Sequence, residues 1–195
     1  MTSTRPRRTS MKYRLALLLS LIVPMTCLAA PSQTLTSPAP FPPSDGRVTV
    51  FLAGSIEMGK AGDWQAQVQQ ALADDGVLML NPRREDWNPA WKPSADDANF
   101  RQQVQWELAA LEKADIVLMY FAPGTQSPIT LLEFGLYARS GKLMVAAPEG
   151  FWRKGNLDIT GDRYGVPRYD SLAELIEAVR ALIQQRRPVD LNLLD

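Results

Sequence analysis

The sequence predicts an α/β fold in which a small open parallel sheet of about five strands carries helices on both faces. Short apolar runs end at glycine, proline or asparagine, and none of them alternates apolar with polar side chains. Strands of that kind are buried on both faces, which is typical of a parallel sheet. Stretches with helical apolar spacing separate the runs, so the elements alternate as in a three-layer sandwich.

Each predicted element has its own pattern of apolar residues and a breaker at its end. The predicted strands are residues 47–53, 77–80, 115–121, 143–147 and a short fifth strand at 166–169, and the predicted helices are 63–73, 98–113, 129–140 and 171–185. Ligands bind beyond the carboxyl ends of the strands in such sheets. We therefore expect functional residues in the loops after Ala53, Leu80, Phe121 and Ala147.

The first thirty residues have the layout of a secretory signal peptide. Five basic side chains and no acid accompany a largely apolar run at 15–26, which small residues follow. Because twelve residues are too few to span a bilayer, we expect a cleaved signal over 1–30, export to the periplasm or the medium, and no stable membrane span in the mature chain. We favour this over a lipoprotein anchor at Cys27.

The rest of the chain divides into three predicted parts. Residues 31–46 contain five prolines among serines and threonines, so we expect a linker without regular structure. Residues 47–187 form the α/β domain, and 188–195 form a C-terminal tail.

The charge and the residue types exclude several functions. Without its first thirty residues the chain has 16 basic and 21 acidic side chains, which disfavours nucleic acid and anionic lipid as partners. The chain has no histidine, which excludes Ser-His-Asp catalysis and histidine metal sites. We expect a small neutral ligand, no metal and no cofactor.

The loop after the first long strand falls one residue short of a phosphate-binding P-loop. Residues 54–61 end in Gly-Lys-Ala, and Ala61 lacks the hydroxyl that holds Mg²⁺. Asp63 is the better helix cap, so the helix begins too late for a P-loop. We interpret the loop as a turn in which Gly54 and Ser55 let a ligand approach the backbone.

Two glutamates fall among the apolar residues of predicted helices. Burial of a carboxylate is costly, so Glu107 and Glu133 indicate function unless an arginine such as Arg101 or Arg139 pairs with each. Ser127 and Pro128 are suited to begin the second of these helices. The expected buried stripes are Phe100, Val104, Leu108 and Leu111 around Glu107, and Ile129, Leu132, Leu136 and Tyr137 around Glu133.

Two carboxylates without histidine or a mature thiol favour chemistry at an acetal-like carbon. One can attack the oxocarbenium-like centre while the other positions or protonates. The bond between a ribosyl or deoxyribosyl group and a base is of this kind.

Over roughly residues 48–170 the chain resembles the nucleoside 2-deoxyribosyltransferase-like family. The segments that carry the resemblance are 51–55, 114–117, 127–135, 141–142 and 148–156. The resemblance implies a flavodoxin-like fold, no metal, a nucleoside substrate, a homo-oligomer, and cleavage of the N-glycosidic bond with a second base or water as acceptor.

The resemblance also implies roles for particular residues. Glu133 would be the nucleophile, Glu107 a supporting acid at the sugar or base, and Gly54 and Ser55 the floor of the pocket. Ser127 stands where the transferases carry an aspartate. A serine there can bind the substrate by orienting a hydroxyl or a base edge, but it cannot protonate a leaving base.

Three more residues are expected to contact the substrate. We assign proton donation to Asp86 in the loop after the second long strand. Trp87 in the same loop could stack on a base, and Asn156 belongs to a segment, 151–156, that could cover the pocket.

Two other readings stay open at this point. The domain could be a non-catalytic module that binds a nucleoside or nucleotide. It could also be a structural domain without a small ligand, which requires that both glutamates be paired with arginines and that no cavity adjoin them.

Overall fold

The structure is a computed structural model that describes residues 30–57 and 61–186. The predicted signal peptide with Cys27 and the predicted tail lie outside the described residues. In chain order the elements are β1 (Gln33–Thr36), β2 (Thr49–Gly54), α1 (Trp64–Ala71), β3 (Leu78–Asn81), α2 (Ala98–Lys113), β4 (Ile116–Tyr120), α3 (Pro128–Tyr137), β5 (Leu143–Ala146), α4 (Lys154–Tyr164), β6 (Arg168–Tyr169) and α5 (Leu172–Arg186).

Within the described residues, six parallel strands form one sheet in the order β1-β3-β2-β4-β5-β6. The predicted α/β three-layer fold is confirmed, with six strands in place of about five. From β2 onward the order is that of flavodoxin-like folds. In this sheet the topological switch point lies between β2 and β4, because the connections that follow these two strands run in opposite directions along the sheet. The loops after Gly54 and Tyr120 flank this point.

The two faces of the sheet bury separate apolar clusters. Helices α2, α3 and α4 cover one face, where Phe121 packs edge-on against Phe134 and is tilted against Phe151. Helices α1 and α5 cover the other face, around Trp64 and Val179. Because β2 to β5 are buried on both sides, nearly all their side chains are apolar, which is why the sequence predicts them well.

Caps fix where the helices begin. Asp63 accepts a hydrogen bond from the amide of Ala66 at the start of α1, as the sequence predicts. Asp97 caps α2 through the amides of Asn99 and Phe100. Within the described part of the chain, no helix combines the length and apolar character needed to cross a membrane.

Two elements correct the sequence predictions. The expectation that residues 31–46 hold no regular structure is wrong, because β1 pairs in parallel with the open edge of β3, from Gln33 beside Leu78 to Thr36 beside Asn81. Helix α4 was not predicted. Its sequence carries two glycines and few apolar residues, and it ends at Gly165 in a left-handed conformation.

Candidate functional site

Glu133 lies in the interior on the sheet-facing side of α3. Its side chain is 8% exposed, beside Thr130 and Phe134. Among the described residues, no hydrogen bond or ion pair reaches its carboxylate. Burial, together with the negative charge of Glu107, raises the pKa of Glu133 to about 8.

Glu107 is partly buried on α2 and accepts a hydrogen bond from Gln103. The distance from Gln103 Nε2 to Glu107 Oε1 is 2.8 Å. Burial raises the pKa of Glu107, and the Gln103 hydrogen bond opposes that rise. The two glutamates are therefore electrostatically coupled across neighbouring helices, and neither is neutralised by an arginine in the described part of the chain.

The expected arginine partners lie elsewhere. Arg101 is exposed, and the guanidinium of Arg139 lies 4.7 Å from the centre of the Tyr164 ring. The reading as a structural domain without a ligand required both glutamates to be paired with arginines and no cavity beside them. The first requirement is not met among the described residues, and neither of the two clefts described below is lined by Glu107 or Glu133.

The predicted buried stripes of α2 and α3 are wrong at four positions, although Leu111 is buried as predicted and the glutamates are withdrawn from solvent. Helix α3 leaves Ile129, Leu132 and Leu136 each 59% exposed, and Leu108 on α2 is 43% exposed. The faces that are buried contain Gln103, Trp106, Ala110 and Leu111 on α2, and Thr130, Glu133 and Phe134 on α3.

Three hydroxyl groups form a buried cluster at the switch point. The Ser55 Oγ atom lies 2.5 Å from Ser127 Oγ and 2.9 Å from Thr125 Oγ1, and it accepts a hydrogen bond from the Ala122 amide at 2.9 Å. Ser55 and Ser127 are each less than 5% exposed. The cluster joins the loop after β2 to the loop after β4, and direct contact of these hydroxyls with a substrate stays a prediction.

Ser127 occupies the N-cap position of α3 but does not cap it. Its backbone is left-handed, at φ 48°, and its hydroxyl makes no capping hydrogen bond. The hydroxyl is instead held by Ser55, which corrects the predicted capping role. Pro128 lies in the first turn of α3, as predicted.

Sequence reasoning missed Glu57. Its carboxylate accepts hydrogen bonds from the amides of Gln126 and Ser127, the second at 2.7 Å. This carboxylate satisfies amides at the start of α3, where negative charge is stabilised. An acid in the loop at the carboxyl end of β2 was the available signal.

Gly54 is required by the packing of its neighbours, and its contact with a ligand stays a prediction. Its φ is 152°, and a Cβ atom there would lie 2.7 Å from Trp64 Cζ2 and closer still to the Tyr120 carbonyl. The space that the glycine leaves is therefore already filled.

Asp86 does not suit the role of proton donor. Its side chain is 72% exposed and pairs with Arg84, whose Nε atom lies 2.8 Å from Oδ1. The Arg84 hydrogen bond lowers the pKa of Asp86, so this carboxyl is ionised at neutral pH.

The residues predicted to stack on a base or to cover the pocket lie at the surface of the molecule. Trp87 is 37% exposed and meets Trp91 edge-on. Asn156 is exposed in the first turn of α4. Phe151 anchors the segment 151–156 against Phe121.

The candidate site is distinguished by its side chains and not by a wide cleft. Two clefts of about 210 Å³ each are lined by residues near the amino ends of the strands, such as Arg47 and Val48, and neither is lined by Glu107 or Glu133. In the described ranges, no three acidic, histidine or cysteine side chains are grouped to hold a metal ion. Carboxyl groups such as Glu107 and Glu133 are able to transfer protons and to attack as nucleophiles.

Comparisons with known proteins place the chain in a family. A search of curated proteins finds no match. Among solved structures, a crystal structure of a conserved protein from Enterococcus faecalis V583 is 14% identical, with a TM-score of 0.49, and the alignment covers 72% of this chain and 99% of that one. Residues 47–151, more than half of the chain, match the family described as "Nucleoside 2-deoxyribosyltransferase like". The chain therefore belongs to the nucleoside 2-deoxyribosyltransferase-like family.

Proposed function

We propose that the protein cleaves or transfers at the N-glycosidic bond of a deoxynucleoside or related nucleoside, with Glu133 as the nucleophile. The family indicates a function of the nucleoside deoxyribosyltransferase kind. The observation that carries the residue assignment is the coupling of Glu133 to Glu107 in the interior, where no arginine among the described residues neutralises either. Such a costly arrangement is typical of catalytic carboxyl pairs.

The pair holds one proton near neutral pH. Two like charges that are close together and poorly solvated do not both ionise, so the proton belongs to the pair. In the reactive form, Glu133 is the carboxylate and Glu107 carries the proton. This assigns the proton donor that Ser127 and Asp86 do not supply.

The first step exchanges one bond for another at the anomeric carbon. A Glu133 carboxylate oxygen forms a bond to C1′ while the bond from C1′ to the base nitrogen breaks, and its electrons go to the base. Glu107 gives its proton to the departing base.

The second step restores the enzyme. Water or a second base attacks C1′, the ester bond to Glu133 breaks, and Glu107 takes the proton that the acceptor loses. The products are free base with either the free sugar or a new nucleoside.

A nucleoside panel tests this proposal. The purified protein is incubated with ribonucleosides and deoxyribonucleosides, with and without a second base, and free base is separated by chromatography. We expect release of base by the wild type and by Glu149→Gln, which alters an exposed loop residue, and at least a hundredfold slower release by Glu133→Gln. Equal rates in Glu133→Gln and the wild type would remove Glu133 from the mechanism.

A second candidate is a nucleoside-binding module without turnover. Its specific support is Ser127, whose hydroxyl is hydrogen-bonded within the buried cluster and cannot protonate a base at neutral pH. Calorimetric binding of nucleosides to the wild type, with no free base after a day, would select this candidate.

Export and self-association are further proposals. N-terminal sequencing of the protein from its native cells tests cleavage of the signal near residue 30. Light scattering tests the homo-oligomer, for which the exposed side chains of Ile129, Leu132 and Leu136 offer an apolar surface.

A further inference from the structure

Residues 32–41, here called the N-terminal strap, precede the region that matches the family. The strap runs beside β3 as β1 and then crosses to α2. At its start, the Ser32 hydroxyl donates to the Leu72 carbonyl at 2.6 Å and accepts from the Val77 amide at 3.1 Å. The Ser37 amide donates to the Asn81 carbonyl at 3.0 Å, so the pairing reaches the carboxyl end of β3.

The strap then contacts the buried face of α2. The indole N–H of Trp106 donates to the Ala39 carbonyl at 2.8 Å, and the Phe41 ring stacks on Trp106 with 5.2 Å between ring centres. The Ser37 hydroxyl donates to Gln103 Oε1 at 2.6 Å, and both side chains are about 95% buried. Trp106 directly precedes Glu107 on α2, and Gln103 lies four residues before Glu107, about one helical turn.

Both the nitrogen and the oxygen of the Gln103 side-chain amide form hydrogen bonds. Its Nε2 donates to the Pro82 carbonyl and to Glu107 Oε1, each at 2.8 Å, while its Oε1 accepts from Ser37. A reversed amide would turn an oxygen toward a carbonyl and a carboxylate. The Pro82 carbonyl and Glu107 therefore select the orientation in which Gln103 is a donor to Glu107, and the Ser37 hydroxyl stabilises it by donating to the buried amide oxygen.

We propose that the N-terminal strap contributes to the candidate site through Ser37, which together with Gln103 is a positioning residue that holds the Glu107 carboxyl in place beside Glu133. The inference rests on the proposed function for its catalytic consequence. Because Gln103 donates to Glu107, it favours the charge on Glu107 and leaves the shared proton to Glu133 before substrate binds. The strap thus biases where the proton of the pair resides.

Few charged groups act on this pair. The charge of Glu107 raises the pKa of Glu133 after burial does. The pKa of Tyr137 on α3 is raised by its own burial and then by the charges of Glu112 and Glu133. The strap residues that reach α2 are uncharged. Loss of the Ser37 hydroxyl therefore changes the hydrogen bonds of Gln103 but leaves the charges around the two glutamates unchanged.

The test compares two serines of the strap in the full chain. Ser37→Ala removes the hydroxyl bonded to Gln103, and Ser32→Ala is the matched control because its hydroxyl anchors the same strap at the other end. Carboxyl-carbon NMR titration of the two glutamates is measured for each variant, together with the pH profile of base release. We expect Ser37→Ala to raise the pKa of Glu107 and to move the acid limb of the pH profile of base release to higher pH, whereas Ser32→Ala leaves both readouts at the wild-type value.

Two further variants keep the proposal falsifiable if Ser37→Ala does not fold. Gln103→Met should shift the Glu107 titration in the same direction and by more, and Ser37→Thr should restore the wild-type titration. The inference is overturned if Ser37→Ala and Ser32→Ala titrate alike, or if Gln103→Met titrates as the wild type.

The two readouts also separate this inference from the proposed function. If no nucleoside releases base but the titrations differ as expected, the strap positions Glu107 and the glycosidic chemistry is wrong. If base is released and the titrations do not differ, the chemistry stands and the strap inference fails.

Discussion

Glu107 on α2 and Glu133 on α3 are coupled across two neighbouring helices, and the charge of Glu107 helps burial to raise the pKa of Glu133 to about 8. The pair lies on the face of the sheet that α2, α3 and α4 cover. This relationship links the fold to the proposed chemistry, because it holds a proton and a potential nucleophile together near neutral pH.

We expect Glu133→Gln to make the protein more stable at neutral pH. The pKa of Glu133 in the folded state, about 8, is above its ordinary value of 4.5. Between those values the folded state binds a proton that the unfolded state has lost, so wild-type stability falls as the pH rises from 4.5 to 8. The amide removes that penalty, which is roughly 3 kcal/mol at pH 7.

Denaturant unfolding at several pH values measures this difference. The gain should vanish below pH 4.5, and Glu149→Gln should show no such trend. A Glu133→Gln variant less stable than the wild type at pH 8 would contradict the burial of an unneutralised carboxyl.

The shared proton predicts a bell-shaped pH profile for kcat/KM, which reports the free enzyme. Above about pH 8 the pair loses its last proton, so the donor to the leaving base is lost. At low pH both carboxyls are protonated and no nucleophile remains. Initial rates of base release across the pH range test this, and a rate that rises through pH 8 to a plateau would assign proton donation to another group.

Much of the sheet is predictable from sequence because β2 to β5 are short, apolar and buried on both faces. The first strand is different. β1 is formed by pairing with the open edge of β3 and by Ser32 and Ser37, and its own residues are mostly exposed. Prolines and hydroxylated residues around it resemble a linker, so only the tertiary contacts reveal the strand.

Gly54→Ala should lower the free energy of unfolding by about 3 kcal/mol or more. The new Cβ atom would overlap Trp64 and the Tyr120 carbonyl, and the backbone there has φ 152°. Gly141→Ala is the matched control, because Gly141 has φ 72° and open space around it, and it should cost only about 1 kcal/mol. Equal thermal shifts in the two variants would contradict the tight packing at Gly54.

Asp86→Asn should leave base release within about twofold of the wild type. The Asp86 carboxyl is exposed and ionised beside Arg84, so it has no proton to give at neutral pH. Steady-state kinetics on the best nucleoside of the panel measures this. A loss of a hundredfold with normal folding would return Asp86 to the site.

The site was only partly predictable. Glu107 and Glu133 stand out because an acid among apolar residues is costly to bury. Their neighbours could not be foreseen, because α3 exposes Ile129, Leu132 and Leu136 and buries the face with Thr130. The spacing of apolar residues divides a helix into faces, but it does not tell which face packs on the sheet. Nothing in the local sequence predicts the hydrogen bond between Ser37 and Gln103.

The most direct measurement is intact-protein and peptide mass spectrometry of the enzyme quenched during turnover of a deoxynucleoside. The account predicts a deoxyribosyl ester on the peptide that contains Glu133, absent from Glu133→Gln and present in Glu149→Gln. Two results together would contradict it: the wild type releases base rapidly with no adduct at Glu133, and Glu133→Gln releases base at the wild-type rate.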